Sequence, residues 1–358
     1  MSGSTAPATI QFALPAPTGR YEAGEDVLHL IDTSRLDPWV PESGHRQLVV
    51  SMFYPAWRGT GQPAPYMSLG EAQGFVQYRV PPGFGITPEE VASVQTQAFT
   101  AAKAAPGKFP LVVLSPGLEN PRATLTSLAT DLASRGYVVA LVGHPGEDSG
   151  EQLADGSISP CVTCGSGPGL PTPPAIVANR GVDVKFVLGR LLGGHVWKLS
   201  HLIDKDRIGM AGHSIGGAAA AEAMEVDPRI RAGVNMDGTF YPPVTAGALS
   251  GRAFMMLGKQ SDHAVGGGDV SWDTTWADLG GYKRWFTVAG ASHMAFTDVT
   301  VLAQEAGIPL VGQTLDAMRG AGITRTYVAA LFDMTLKGCP EPLLDGDSPA
   351  FPEVASQS

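Results

Sequence analysis

Positive charge is scarce in this 358-residue chain: 24 lysines and arginines stand against 34 aspartates and glutamates, a formal net charge of −10 with a pI near 5.2. No basic cluster relieves that balance, which argues against nucleic acid or an anionic membrane as the main partner. A run of about 18 apolar residues is also missing, so no membrane span is expected. The opening Met1-Ser2-Gly3-Ser4-Thr5-Ala6-Pro7 lacks a charged n-region and an apolar h-region. As written it reads as cytoplasmic, without a signal peptide; a mature secreted form would look the same, which leaves export open. Internal repeats of about 20 to 50 residues are absent. Cysteine is sparse, three in all, with Cys161 and Cys164 in a C-x-x-C and Cys339 far away. Zinc would need two more ligands at matching spacing, and none lies nearby. Pro160 and Gly165-Ser166-Gly167-Pro168-Gly169 flank the pair where a redox motif would open a helix. A small loop-stapling disulfide or two idle thiols remain, and a disulfide would favour an oxidising compartment. No cofactor and no metal are expected.

What the chain does have is apolar content, 44% hydrophobic with a mean hydropathy of +0.05, enough for one large core. Strand-like runs recur at Leu48–Tyr54, Phe109–Leu114, Tyr137–Val142, Arg207–Ala211, Ile230–Met236, Ala253–Leu257 and Arg284–Val288. Helical patterns lie between most of them, as at Arg122 to Ser134 and at Asn179 to Leu192, where Val182, Phe186, Val187 and Leu191 fall at helix-face spacing. β-Branched runs without polar alternation, separated by helices, predict an α/β fold with a doubly wound, mostly parallel sheet. A single domain over 21–338 is expected, between a flexible segment at 1–20 and a tail at 339–358. Two Gly- and Pro-rich insertions interrupt it. The first, 59–107, carries Phe75, Tyr78, Phe84 and Phe99 and reads as a pocket wall; the second, 143–174, reads as a loop over the sheet's edge.

The densest chemical signal is Gly212-His213-Ser214-Ile215-Gly216, a G-x-S-x-G between the apolar Arg207–Ala211 and the Ala-rich run after Gly217. Strand before and helix after suit a sharp turn that lifts the Ser214 hydroxyl above the sheet beside the free N–H groups of a helix start. A serine hydroxyl is a weak nucleophile, so it needs a base, and the base an orienting acid. In this arrangement the partners follow in the order Ser, Asp or Glu, His. Of the two histidines after Ser214, His293 leaves the strand-like Arg284–Val288 on a short loop and is the expected base; His263 sits one strand earlier, beside Asp262. Two aspartates qualify as acid: Asp237, which ends Ile230–Met236, and Asp262, which follows Ala253–Leu257. The Ile215 N–H is the expected first donor to an oxyanion. His144 and Glu147 follow the strand ending at Val142, as a border of the site or as an ordinary loop pair.

Ser214, Asp237-Gly238, Gly290-Ala291-Ser292-His293 and Leu114-Ser115-Pro116-Gly117-Leu118 together resemble the platelet-activating-factor acetylhydrolase (type II) group of α/β-hydrolases, its actinobacterial members most closely. The resemblance runs from about Leu48 to Asp298, with the acid and base 23 and 79 residues after the serine. It implies Asp237 as the acid, in a Met-Asp-Gly setting, and the Leu118 N–H as the second oxyanion donor. The chain is also similar to bacterial cutinase-like polyester hydrolases through Ser115-Pro116-Gly117, Gly136-Tyr137-Val138-Val139 and Gly212 to Gly217. That likeness would move the acid to Asp262, in the loosely matching Gly258–His263 segment. Either implies a serine carboxylic-ester hydrolase working through an acyl-enzyme on a small-molecule or lipid-like ester. A polyester hydrolase, or an acyltransferase or lactone-forming enzyme with the same triad, is the alternative; a catalytically silent binding protein fits an intact triad poorly.

Overall fold

Runs of Val, Leu, Ile, Met and Phe are stable on both faces only in a sheet covered by helices on either side. The computed structural model describes residues 11–166 and 168–357. The strands are β1 (Glu22–Leu36), β2 (His45–Ala56), β3 (Gln62–Pro63), β4 (Ala98–Thr100), β5 (Phe109–Ser115), β6 (Val138–Gly143), β7 (Ile203–His213), β8 (Ile230–Met236), β9 (Ala253–Lys259), β10 (Lys283–Val288) and β11 (Val354–Ser356). The helices are α1 (Leu69–Arg79), α2 (Pro88–Ala92), α3 (Thr126–Ser134), α4 (Pro173–Leu192), α5 (Ile215–Val226), α6 (Gln260–His263), α7 (Val270–Asp278), α8 (Asp298–Glu305) and α9 (Ala317–Lys337). One sheet takes them in the order β11-β10-β9-β8-β7-β5-β6-β2-β1-β4-β3. From β6 to β10 the neighbours are parallel, while β2, β1 and β11 pair antiparallel. This is the α/β-hydrolase arrangement that the sequence predicts.

Alternation along β5 shows how the layers form. Leu111 and Val113 face a core shared with Val184 and Val187 of α4 and Met224 of α5. Val112 and Leu114 face the opposite core, with Leu128 and Leu132 of α3 and Tyr327 and Leu331 of α9. Each such side chain, fully buried, contributes about 1.5–3 kcal/mol. β5 and β7 lie side by side although β6 comes between them in sequence. Their carboxyl ends therefore open a crevice of the kind that holds ligands in this class of sheet.

Several expectations are corrected. Residues 11–20 pack down: Phe12 and Leu14 are buried, and Thr18 donates from its amide and hydroxyl to Asp131. Residues 1–10 of the expected flexible segment lie outside the described residues. The tail at 339–358 adds β11 to the sheet, buries Leu344 and ties Glu353 to Arg319. Helix α4 starts six residues before the expected Asn179, with Pro173 and Pro174 in its first turn, where their missing N–H groups do no harm. Its buried stripe is polar at one end, through Asn179, Arg180 and Asp183, and Val182 is exposed. Of the two readings of Cys161 and Cys164, the structure has the loop-stapling disulfide.

Candidate active site

Ser214 occupies a strained corner, with φ 55° and ψ −126°, between β7 and α5. A non-glycine residue there costs of order 1–3 kcal/mol and persists only where its surroundings over-determine it. The flanking glycines are part of that determination. A Cβ on Gly216 would collide with the Ser115 and Pro116 carbonyls of the neighbouring β5 turn, and one on Gly212 would collide with the backbone of Gly216. The corner lets α5 begin at Ile215, whose amide is one of the N–H groups a helix start leaves without an intrahelical partner.

Three more strand ends bring their residues to this corner. His293 stands on a short 3-10 turn, His293–Phe296, beyond β10; its Nε2 is 3.0 Å from Ser214 Oγ. Its Nδ1 is 2.5 Å from Oδ2 of Asp237, which follows β8 with φ 59°. Asp237 is buried, and its Oδ1 accepts from the Lys259 amide at 2.6 Å. Burial alone would raise its pKa, but hydrogen bonds from His263 and His293 outweigh it and hold the carboxyl below its ordinary value. Asp262, the other qualifying acid, lies on the exposed side of α6 and pairs with Lys259 at 2.6 Å. The structure thus gathers Ser214, Asp237 and His293 and leaves Asp262 outside. Leu118 and Ile215 meet in one small apolar cluster with Ile176 and Val177.

Two histidines touch this relay, and two residues of α4 support the β5 turn, in roles that the sequence did not show. His213, inside the pentapeptide, is buried and lies 2.8 Å from the His293 carbonyl through Nε2. His263, the other histidine after Ser214, is buried with Nδ1 2.8 Å from Asp237 Oδ1. Arg180 reaches from α4 under the β5 turn, donating to the Pro116 carbonyl at 2.5 Å, to Ser115 Oγ at 3.1 Å and to Glu147 at 2.7 Å. Asp183 accepts from Arg46 at 2.9 Å and faces His144 Nδ1 at 2.8 Å, while His144 Nε2 faces Ser115 Oγ at 3.0 Å. Burial opposes ionisation of Asp183, yet Arg46 and His144 hold it well below the usual carboxylate range. His144 and Glu147 are therefore members of a buried polar network beneath the Ser115–Leu118 turn, and the Glu147 main-chain carbonyl also accepts from the Glu119 amide at 2.7 Å.

An apolar cavity of about 200 Å³ opens beside Met294, the residue after His293, and is walled by Phe75, Val91, Leu302 and Leu310. Arg79 also lines it and pairs at 3.0 Å with Glu119, the residue after Leu118. The 59–107 insertion supplies part of this wall through α1 and α2. Among the described residues, no three His, Cys, Asp or Glu side chains converge as a metal site, and no helix is long and apolar enough to cross a membrane.

The sheet and its strained serine corner define an α/β-hydrolase. The sequence profile of the platelet-activating factor acetylhydrolase isoform II family matches residues 39–151 and 178–321, and the chain belongs to that family. It is 27% identical to a probable 1-alkyl-2-acetylglycerophosphocholine esterase of Arthroderma benhamiae, across 96% of this chain and 93% of that one. Platelet-activating factor acetylhydrolase of Canis lupus familiaris is 26% identical over 38% of this chain and 36% of its own length. A ferulic acid esterase from Streptomyces cinnamoneus superposes with a TM-score of 0.85 at 40% identity, over 97% of this chain and 99% of that one. The chain is a carboxylic ester hydrolase.

Proposed function

We propose that Ser214 is the nucleophile, His293 the general base and acid, and Asp237 the residue that orients the imidazole. Ser214 Oγ attacks the ester carbonyl as its proton passes to His293 Nε2, 3.0 Å away. The imidazolium so formed is stabilised by the Asp237 carboxylate on Nδ1. The amides of Ile215 and Leu118 receive the charge of the tetrahedral oxyanion. Collapse returns the proton from His293 to the leaving alkoxide, which departs as the alcohol. Water, deprotonated by the same imidazole, then releases the acid and restores Ser214. The observation that carries this reading is the unbroken relay from Asp237 through His293 to Ser214 on three strand ends.

The substrate we infer is a carboxylic ester with an apolar group that fills the cavity beside Met294, since its wall includes Met294, next to His293, and Arg79, which pairs with Glu119. The relatives named for alkylacetylglycerophosphocholine and ferulic acid esters support an ester with a sizeable apolar portion.

An organophosphonate ester tests the nucleophile. Mass spectrometry is expected to find one adduct, on the peptide bearing Ser214, formed slowly in His293→Ala and not at all in Ser214→Ala. An adduct elsewhere, with activity abolished in step, would overturn the assignment.

A further inference from the structure

His263 is the buried titratable group that the relay above does not use. Its ring stacks on Trp272 with centroids 4.0 Å apart and planes 18° apart, and its main-chain carbonyl accepts from Trp285 Nε1 at 2.8 Å. Both ring nitrogens face carboxylate oxygens. Nδ1 is 2.8 Å from Asp237 Oδ1, and Nε2 is 3.2 Å from Asp269 Oδ2. A neutral imidazole has one N–H and one lone pair, so one of these contacts would set a lone pair against an anion in a buried place.

The carboxylates do not supply the missing proton. Asp269 already accepts from the Ser271 amide at 3.0 Å, from the Ser271 hydroxyl at 2.6 Å and from Thr239 Oγ1 at 2.6 Å. Although burial favours its neutral form, those hydrogen bonds hold it below its ordinary value. Asp237 is held down in the same way. Other charged groups nearby are satisfied among themselves: Lys259 at the end of β9 pairs with Asp262 of α6, and β10 presents Trp285 rather than a charge. His293 is met only across Asp237, on its other oxygen.

We propose that His263 is a positioning residue for ester hydrolysis: a buried imidazolium that donates to both Asp237 and Asp269 and so fixes the Asp237 carboxylate from the side opposite His293. The inference rests on Asp237 as the triad acid. Asp237 is then held by three hydrogen bonds, from the Lys259 amide and His263 on Oδ1 and from His293 on Oδ2. It cannot rotate without breaking a charge-assisted bond. The positive charge has a second effect, opposing a proton on the nearby His293 and so extending activity toward acid pH.

Two variants and one spectrum test this. In His263→Gln, kcat falls by up to about 10²-fold with KM little changed, the effect of a small misplacement of a catalytic group. The acid limb of its kcat/KM profile moves up by about one pH unit, because protonating His293 no longer meets a neighbouring charge. Asp269→Asn keeps the Ser271 bonds of the α7 N-cap on its remaining oxygen and can donate from its amide to a neutral His263, with the Thr239 hydroxyl turning to accept from that amide instead of donating, so the contacts survive without the charge; its limb moves the same way by about half a unit. In long-range proton–nitrogen spectra of wild-type protein labelled at histidine, His263 carries protons on both nitrogens at neutral pH, and in Asp269→Asn on one. Limbs that stay in place in both variants, or a singly protonated His263 in the wild type, would overturn the proposal while leaving the triad intact. An active Asp237→Asn enzyme would instead remove the triad reading on which it rests.

Discussion

His213 donates from Nε2 to the main-chain carbonyl of His293 at 2.8 Å, and the two imidazoles lie 4.6 Å apart, so the residue before the nucleophile holds the turn that carries the base. Burial, with His293 beside it, pushes the His213 pKa down to about 3. The ring therefore stays neutral with a single N–H, and the bond to His293 uses it. Replacing it by phenylalanine keeps a ring and removes the donor. His213→Phe is expected to lose about 1–3 kcal/mol of stability, the usual consequence of an unsatisfied buried carbonyl. Its kcat should fall more than its KM rises. Urea unfolding and steady-state kinetics check both, and a wild-type kcat would show that the bond does not set the turn.

Arg180 is a fully buried guanidinium whose partner Glu147 is equally buried. Removing one member of such a pair strands the other charge, at about 3–5 kcal/mol. Arg180→Met is expected to be destabilised by that amount in urea unfolding, and Arg180→Met with Glu147→Gln to recover part of it. Because Arg180 also holds the Pro116 carbonyl, the double variant should remain slower in kcat than wild type even where its stability recovers.

Asp298 caps the start of α3 through the Ser127 amide and hydroxyl, and burial raises its pKa from 3.8 to about 7. Between those values the folded protein holds a proton that the unfolded chain releases. The contribution is thus full below about pH 3.8 and lost as pH rises toward 7. Asp298→Asn does not titrate, so the Tm difference, variant minus wild type, should grow over that window and level off above it. A difference independent of pH would show that Asp298 is ionised in the fold throughout.

Much of this architecture was legible in the sequence, for a physical reason. Strands buried on both faces are mostly apolar, so Phe109–Ser115 and Val138–Gly143 stand out from composition alone, and Ile230–Met236 does so with only Arg231 and Asn235 polar. The serine and histidine are visible because each leaves such a strand directly. By contrast, β1 is a long strand with polar and exposed residues along one face, and it is missing from the strand-like runs that apolar composition picks out. Arg180 and Asp183 were hidden because helix-face spacing counts apolar residues, and here the buried end of α4 is ionic. His263 meets Asp237 only because the chain after β9 folds back over a residue 26 positions earlier, and no local pattern encodes that return.

The apolar cavity beside Met294 makes a prediction about selectivity. Ala303 of α8 lies on its wall. Ala303→Trp should leave an acetate ester within about two-fold of wild type in kcat/KM and reduce esters with a long acyl or aryl group by about 10–200-fold, the range for a filled apolar subsite. Equal losses for short and long esters would place the apolar group elsewhere.

The central claim is that Asp237 orients His293, and one comparison tests it most directly: kcat at neutral pH for Asp237→Asn against Asp262→Asn, with folding checked by circular dichroism. Asp237 faces His293 Nδ1 at 2.5 Å, whereas Asp262 sits in a half-exposed pair with Lys259. Loss of the orienting acid should lower kcat by about 10⁴-fold, as in the serine-protease case. Loss of the Lys259 pair should change it by a small factor. A crippled Asp262→Asn beside a near-normal Asp237→Asn would contradict the account.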